Sequence, residues 1–113
     1  MHELSITRSV VAIVSERAAG QRVTRLRLEI GSLAAVMPDA IRYCFDICAR
    51  DTTLAGAELQ IDEIPGRAVC TDCGLEVRLS ALTGRCPTCG KPNLRLIAGR
   101  ELNIKEMETA PCA

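Results

Sequence analysis

Four cysteines fall in two pairs, Cys70-x2-Cys73 and Cys86-x2-Cys89, twelve residues apart, and a glycine follows each pair at once, Gly74 or Gly90. Two such knuckles can set four thiolates tetrahedrally around one ion, with the glycines supplying tight turns that aim backbone amides at sulfur. An S4 site suits structural zinc. A mononuclear iron site has similar geometry, and thiol–disulfide exchange by one CxxC is a third reading. Four thiolates leave no open position for a catalytic water, so the ion serves as a cross-link. A segment of about 30 residues needs one, because below about 40 residues a core rarely stands alone.

The second chemically suggestive place is the start of the chain. His2 is the only histidine. The Met1 amine, a deprotonated backbone amide and the His2 imidazole can close small chelate rings around planar nickel(II) or copper(II), with Glu3 adding its amide or carboxylate. A lone histidine is also commonly a plain surface or packed residue. A zincin HExxH site is excluded, since Ile6 stands where the second histidine would be.

Helical spacing of Leu4, Ile6, Val10, Ile13 and Val14, with Gly20 as a left-handed stop, predicts a helix over about 4–18. Alternation from Val23 to Ile30 puts Leu26, Leu28 and Ile30 on one face of a strand and Arg25, Arg27 and Glu29 on the other. Pro38 opens a second helix whose stripe is Ile41, Cys44, Phe45 and Cys48. Further strands are expected near 57–64 and 100–108, with the cysteine-rich insertion between them. The expected fold class is α+β: two helices packed on a three-stranded mixed sheet, with a zinc-ribbon module inserted before the last strand. The first two strands, joined through the second helix, can be parallel. The division follows as 1–65 for the first part of the main domain, 66–97 for the zinc module, and 98–113 for the last strand and tail.

Fourteen Lys+Arg against fourteen Asp+Glu give zero net charge, which argues against a general nucleic-acid binder, and 2% aromatic residues argue against base-stacking platforms. Within the insertion, Arg67, Arg78, Arg85, Lys91 and Arg95 outnumber Asp72 and Glu76. The longest aliphatic run, Val10 to Val14, is far short of the ~20 residues that span a bilayer, and no signal-peptide layout is seen, so a cytoplasmic location without a membrane partner is expected. Cys44 and Cys48 are assigned to core packing, Met37 and Met107 to packing, and Cys112 to an unpaired thiol. No nucleophile, base and orienting group form a recognisable set, so no enzymatic activity is expected.

Met1-His2-Glu3, the strand ending at Ile30-Gly31, Ala57-Glu58-Leu59, the double CxxC and Gly99-Arg100-Glu101-Leu102 together resemble the HypA/HybF family of hydrogenase nickel-incorporation proteins. The resemblance covers essentially the whole chain. It implies a nickel metallochaperone, with Met1, His2 and Glu3 as nickel donors and Cys70, Cys73, Cys86 and Cys89 as ligands of structural zinc. It also implies delivery of nickel, together with a HypB-like GTPase, to the NiFe-hydrogenase large-subunit precursor, with urease maturation proteins as partners in some members. A monomer or weak homodimer is expected. The competing reading is a zinc-ribbon adaptor that binds protein or nucleic acid and is indifferent to the N-terminus.

Overall fold

The alternation in the first strand, β1 (Arg22–Gly31), buries Val23, Leu26, Leu28 and Ile30 and leaves Arg25 and Arg27 half-exposed on the opposite face. The computed structural model describes residues 2–82 and 84–111. Along these run α1 (His2–Ala18), β1, α2 (Pro38–Cys48), β2 (Glu58–Ile64), β3 (Gly66–Cys70), β4 (Glu76–Leu79), β5 (Leu94–Ala98) and β6 (Leu102–Ala110). Two three-stranded sheets result, with strand orders β2-β1-β6 and β4-β3-β5. In the first, β1 pairs with β2 in parallel, Leu26 opposite Leu59, and with β6 antiparallel, Leu26 opposite Met107. The expected mixed sheet is therefore present, with α2 in the crossover between its parallel strands.

Helix α1 is rich in β-branched residues, which are poor intrinsic helix formers, so its stability comes from the face it packs. That face is Thr7, Val11, Val14 and Ala18, rotated from the predicted stripe, and Ile13 is exposed. The difference arises because Thr7 is as small as valine and satisfies its hydroxyl within the helix, donating to the Glu3 carbonyl at 2.7 Å. Polar character alone therefore did not mark Thr7 as surface. The helix also begins at His2, earlier than the apolar period suggests. In α2, Pro38 occupies the first turn and Ile41 and Phe45 are buried, as the spacing predicts, with Cys44 and Cys48 half-buried. Met37 departs from its packing assignment, the residue being 66% exposed, whereas Met107 packs against the core. Across β1 and β2, the Asp62 carboxylate accepts from Arg27 Nε at 2.7 Å.

The second sheet lies beyond the first along a long axis. A compact chain of this length has a radius of gyration of about 13 Å. The observed 17.6 Å, with extents of 60 × 27 × 17 Å, shows the two sheets arranged end to end. At their junction the backbones nearly touch: Gly31 and Leu33 amides donate to the carbonyls of Glu101 and Gly99, and the Gly66 amide donates to Ser32 Oγ at 3.1 Å. No helix among the described residues is long and apolar enough to cross a membrane.

Candidate metal centres

Cys70 ends β3, Cys73 lies in the turn before β4, and Cys86 and Cys89 form the second turn before β5. The two turns are built alike. In the first, the Gly74 amide donates to the Cys70 carbonyl at 2.8 Å and the Cys70 amide to Leu75 at 2.9 Å. In the second, Gly90 donates to Cys86 at 2.8 Å and Cys86 to Lys91 at 3.0 Å. Gly74 and Gly90 sit at φ +78° and +74°, the left-handed region that each knuckle requires.

The four sulfurs lie within 4.8 Å of one another. The Cys70–Cys89 and Cys73–Cys86 sulfur pairs are each 3.6 Å apart, far beyond the ~2.05 Å of a disulfide. A tetrahedral zinc site with ~2.3 Å bonds has edges of about 3.8 Å, so the sulfur set fits such an ion. The electrostatics agree with this fit. The amide of Cys89, helped by that of Thr88, holds the Cys86 thiol down at about 7 against the effect of burial. Cys73 receives a thiolate-favouring hydrogen bond from the Leu75 amide, yet its contacts with Cys86 and Cys70 push it up to about 12. Cys89 is likewise raised, because burial and the Cys70 and Cys86 sulfurs outweigh the Lys91 amide. Crowded thiolates repel one another, and a divalent cation among them relieves that repulsion. Among the described residues, no other group of three or more Cys, His, Asp or Glu converges in this way.

The N-terminal residues are held by backbone rather than by a cluster of side chains. His2 Nε2 lies 2.8 Å from the Ala35 carbonyl and 3.2 Å from Glu3 Oε2. Both neighbours are acceptors, so Nε2 is a nitrogen that carries a proton, and in the neutral tautomer this selects, Nδ1 is the lone-pair nitrogen. Glu3 Oε2 in turn accepts from the Met37 amide at 3.3 Å. His2 and Glu3 thus belong to the first turn of α1 and are docked on the loop before α2. Met1 and Cys112 lie outside the described residues. The sequence reading missed Ala35 and Met37 because both act through main-chain atoms. The available signal was Pro38, which biases Met37 to extended backbone, observed at φ −88°, ψ 116°.

Hydrogen bonds from the amides of Glu3 itself and of Met37, with the nearby His2, hold the Glu3 carboxyl below its ordinary value of 4.5. A lowered carboxyl stabilises the folded state fully above that ordinary value, and the contribution disappears as pH falls through the lower folded value. With His2 replaced by alanine, so that no imidazole titrates beside the carboxylate, the Met37 amide resonance is therefore expected to stay in place from pH 7 down to about 5 and to move only in more acid solution. A pH titration followed by amide NMR checks this. Movement between pH 7 and about 5 would show that the Glu3 carboxylate does not hold the loop.

A protein-family model described as hydrogenase/urease nickel incorporation, metallochaperone, hypA matches residues 1–109. The hydrogenase maturation factor HypA of Nostoc sp. is 56% identical over 108 residues, covering 96% of this chain and 95% of that protein. The HypA of Geobacter metallireducens is 50% identical, covering 96% and 98%. The same fold occurs in two solution structures. One is of the nickel metallochaperone HypA from Helicobacter pylori (TM-score 0.65, 23% identity, 95% of this chain and 96% of that one). The other is of a HypA protein (TM-score 0.71, 24% identity, 97% of each chain). On the family match and these relatives, the chain belongs to the HypA family of nickel-incorporation metallochaperones that act in hydrogenase maturation.

Proposed function

We propose that this chain binds one nickel(II) ion through Met1, His2 and Glu3 and passes it, with a HypB-like GTPase, to the NiFe-hydrogenase large-subunit precursor. Urease maturation proteins are a second class of recipient. Residues 66–97 act as the zinc-binding module, with Cys70, Cys73, Cys86 and Cys89 holding the ion, and 1–65 with 98–113 act as the nickel-binding domain. The zinc supplies a cross-link and no reactivity. The protein works in the cytoplasm as a monomer or weak homodimer.

The observation that carries the reading is the docking of His2. Its Nε2–H is occupied by a backbone carbonyl, the usual way a metal-binding imidazole is oriented through its other nitrogen. Nδ1 is on the side of the ring nearest its own backbone, where ring and main-chain nitrogens can chelate together. Docking on a loop fixes the imidazole, while the 56% exposure of its side chain leaves an exit for a cargo ion. Imidazole and amide nitrogens regain protons as pH falls, so acidification favours release.

The test is calorimetric titration of nickel into the zinc-loaded, untagged chain beginning at Met1, beside His2→Ala. About one nickel per chain is expected, with affinity reduced at least about a hundredfold in the variant. Binding that survives His2→Ala would overturn the reading.

A further inference from the structure

The chain exposes two open sheet faces, and they treat their charges differently. On the β2-β1-β6 sheet three cations of the open face, Arg25, Arg27 and Lys105, have carboxylate partners. Arg25 Nε reaches Glu108 at 2.6 Å, Arg27 Nε reaches Asp62 at 2.7 Å, and Lys105 Nζ reaches Glu29 at 3.2 Å. That face neutralises itself.

The β4-β3-β5 sheet does not. Its register sets Arg67 directly opposite Arg78, Val69 opposite Glu76, and Val69 opposite Arg95 on the other side. Directly opposed residues share a face, so three arginines surround half-buried Val69 on one exposed surface. The other face carries Ala68, Val77 and Leu96, which are buried or half-buried. Glu76 satisfies only Arg67, at 2.6 Å. Among the described residues, Arg78 and Arg95 have no carboxylate within ion-pair distance. Like charges directly opposite in a ladder destabilise it. Among the described residues, the Glu76–Arg67 pair is the one ion pair that offsets the placement of Arg78 across from Arg67.

We propose that this face, Arg67, Arg78 and Arg95 around Val69, docks an acidic segment of a partner protein. Arginine beside a small apolar centre is the composition of a protein–protein contact, in which the guanidinium planes take carboxylates bidentately. Single-stranded nucleic acid is the weaker occupant, because stacking platforms are absent. Tyr43 and Phe45, the chain's only aromatics, both lie on α2. The site is separate from the nickel donors, so the proposal stands or falls independently of nickel binding.

The experiment uses the zinc-loaded full chain and a synthetic peptide in which glutamate alternates with leucine or valine, beside a glutamine-for-glutamate control, followed by amide NMR. Saturable shifts are expected at Arg67, Val69, Arg78 and Arg95. They should be absent with the control, weakened about tenfold or more between low and high salt, and lost in the double variant Arg78→Glu/Arg95→Glu. Shifts outside β3, β4 and β5, or equal binding by the double variant, would overturn the proposal. Tighter binding of oligothymidylate than of the acidic peptide on the same face would overturn it in favour of nucleic acid. A second readout guards against a purely structural role. Arg78→Ala is expected to leave the thermal midpoint of the module unchanged or higher, and a clear fall would show that Arg78 is kept for stability.

Discussion

Replacing Cys70 by serine is expected to abolish tight zinc binding and to unfold residues 66–97 while the β2-β1-β6 sheet stays folded. Cys70 is fully buried at the end of β3, and its amide closes the first knuckle on Leu75. A serine hydroxyl is a harder and far less readily ionised donor than a thiol, so the S4 set loses one of its four bonds. Structural zinc supplies an apparent free energy of about 10–16 kcal/mol in small zinc modules, as large as the whole stability of many domains. Little else holds this segment. Its interior face offers fully buried Ala68, Cys70 and Cys86, with Val77, Leu79, Leu94 and Leu96 only half-buried. The main sheet is a different case, with Val14, Val23, Leu26, Ile41 and Leu54 nearly or wholly inaccessible around one core. Unfolding the module turns the connection from β2 to β6 into a loop of roughly 35 residues, whose closure costs about 3 kcal/mol. A core of that quality tolerates such a cost at a lower melting temperature. Zinc content by elemental analysis, with amide NMR of the variant, checks the prediction. Retained zinc at one per chain, or simultaneous loss of both sheets, would contradict it.

The parts of this molecule that were legible in advance are those in which side-chain chemistry and local conformation coincide. The paired CxxC-Gly units announce four converging sulfurs because sulfur spacing and left-handed glycine are both written in the residues. Alternation in β1 was equally plain, since one face is aliphatic and the other charged. The pattern was less informative where a polar residue takes an apolar role. Thr7 replaced Ile13 on the buried face of α1 because its hydroxyl bonds within its own helix. The docking of His2 and Glu3 was invisible for another reason. Their partners are the carbonyl of Ala35 and the amide of Met37, and a main-chain atom leaves no trace in a residue type. Likewise β3, β4 and β5 are only five, four and five residues long. Strands so short hold together through the knuckles and give too few alternations to be read separately.

A methyl group at Gly99 is expected to damage both the fold and the nickel site. The Gly99 backbone adopts φ +116°, which side-chain-bearing residues rarely take, and a Cβ there would stand 2.6 Å from Gly66 Cα and 3.1 Å from Leu33 Cδ1. The nearest obstacle is backbone on the neighbouring strand, so the side chain cannot simply turn aside. Backbone strain of about 1–3 kcal/mol and overpacking of about 1–3 kcal/mol combine to roughly 4 kcal/mol. Gly31→Ala should be at least as damaging, since its methyl would run into the Gly99 carbonyl and the Arg100 amide, both backbone. The consequence reaches beyond stability. The Gly99 carbonyl accepts from the Leu33 amide, and Leu33 begins the short run that ends in Ala35 and Met37, the two residues that dock His2 and Glu3. Gly99→Ala is therefore expected to lower the melting temperature and also to weaken nickel binding about tenfold, the size of effect that misplacing an orienting partner produces. Gly84→Ala is the control, because its methyl would meet only Leu79 Cδ2 at 3.6 Å. Chemical denaturation and nickel titration of the two variants together decide the matter. If Gly99→Ala lost stability but kept the parent nickel affinity, the junction would be a structural seam alone, and the loop from Leu33 to Met37 would hold His2 in place without help from the sheet beneath it.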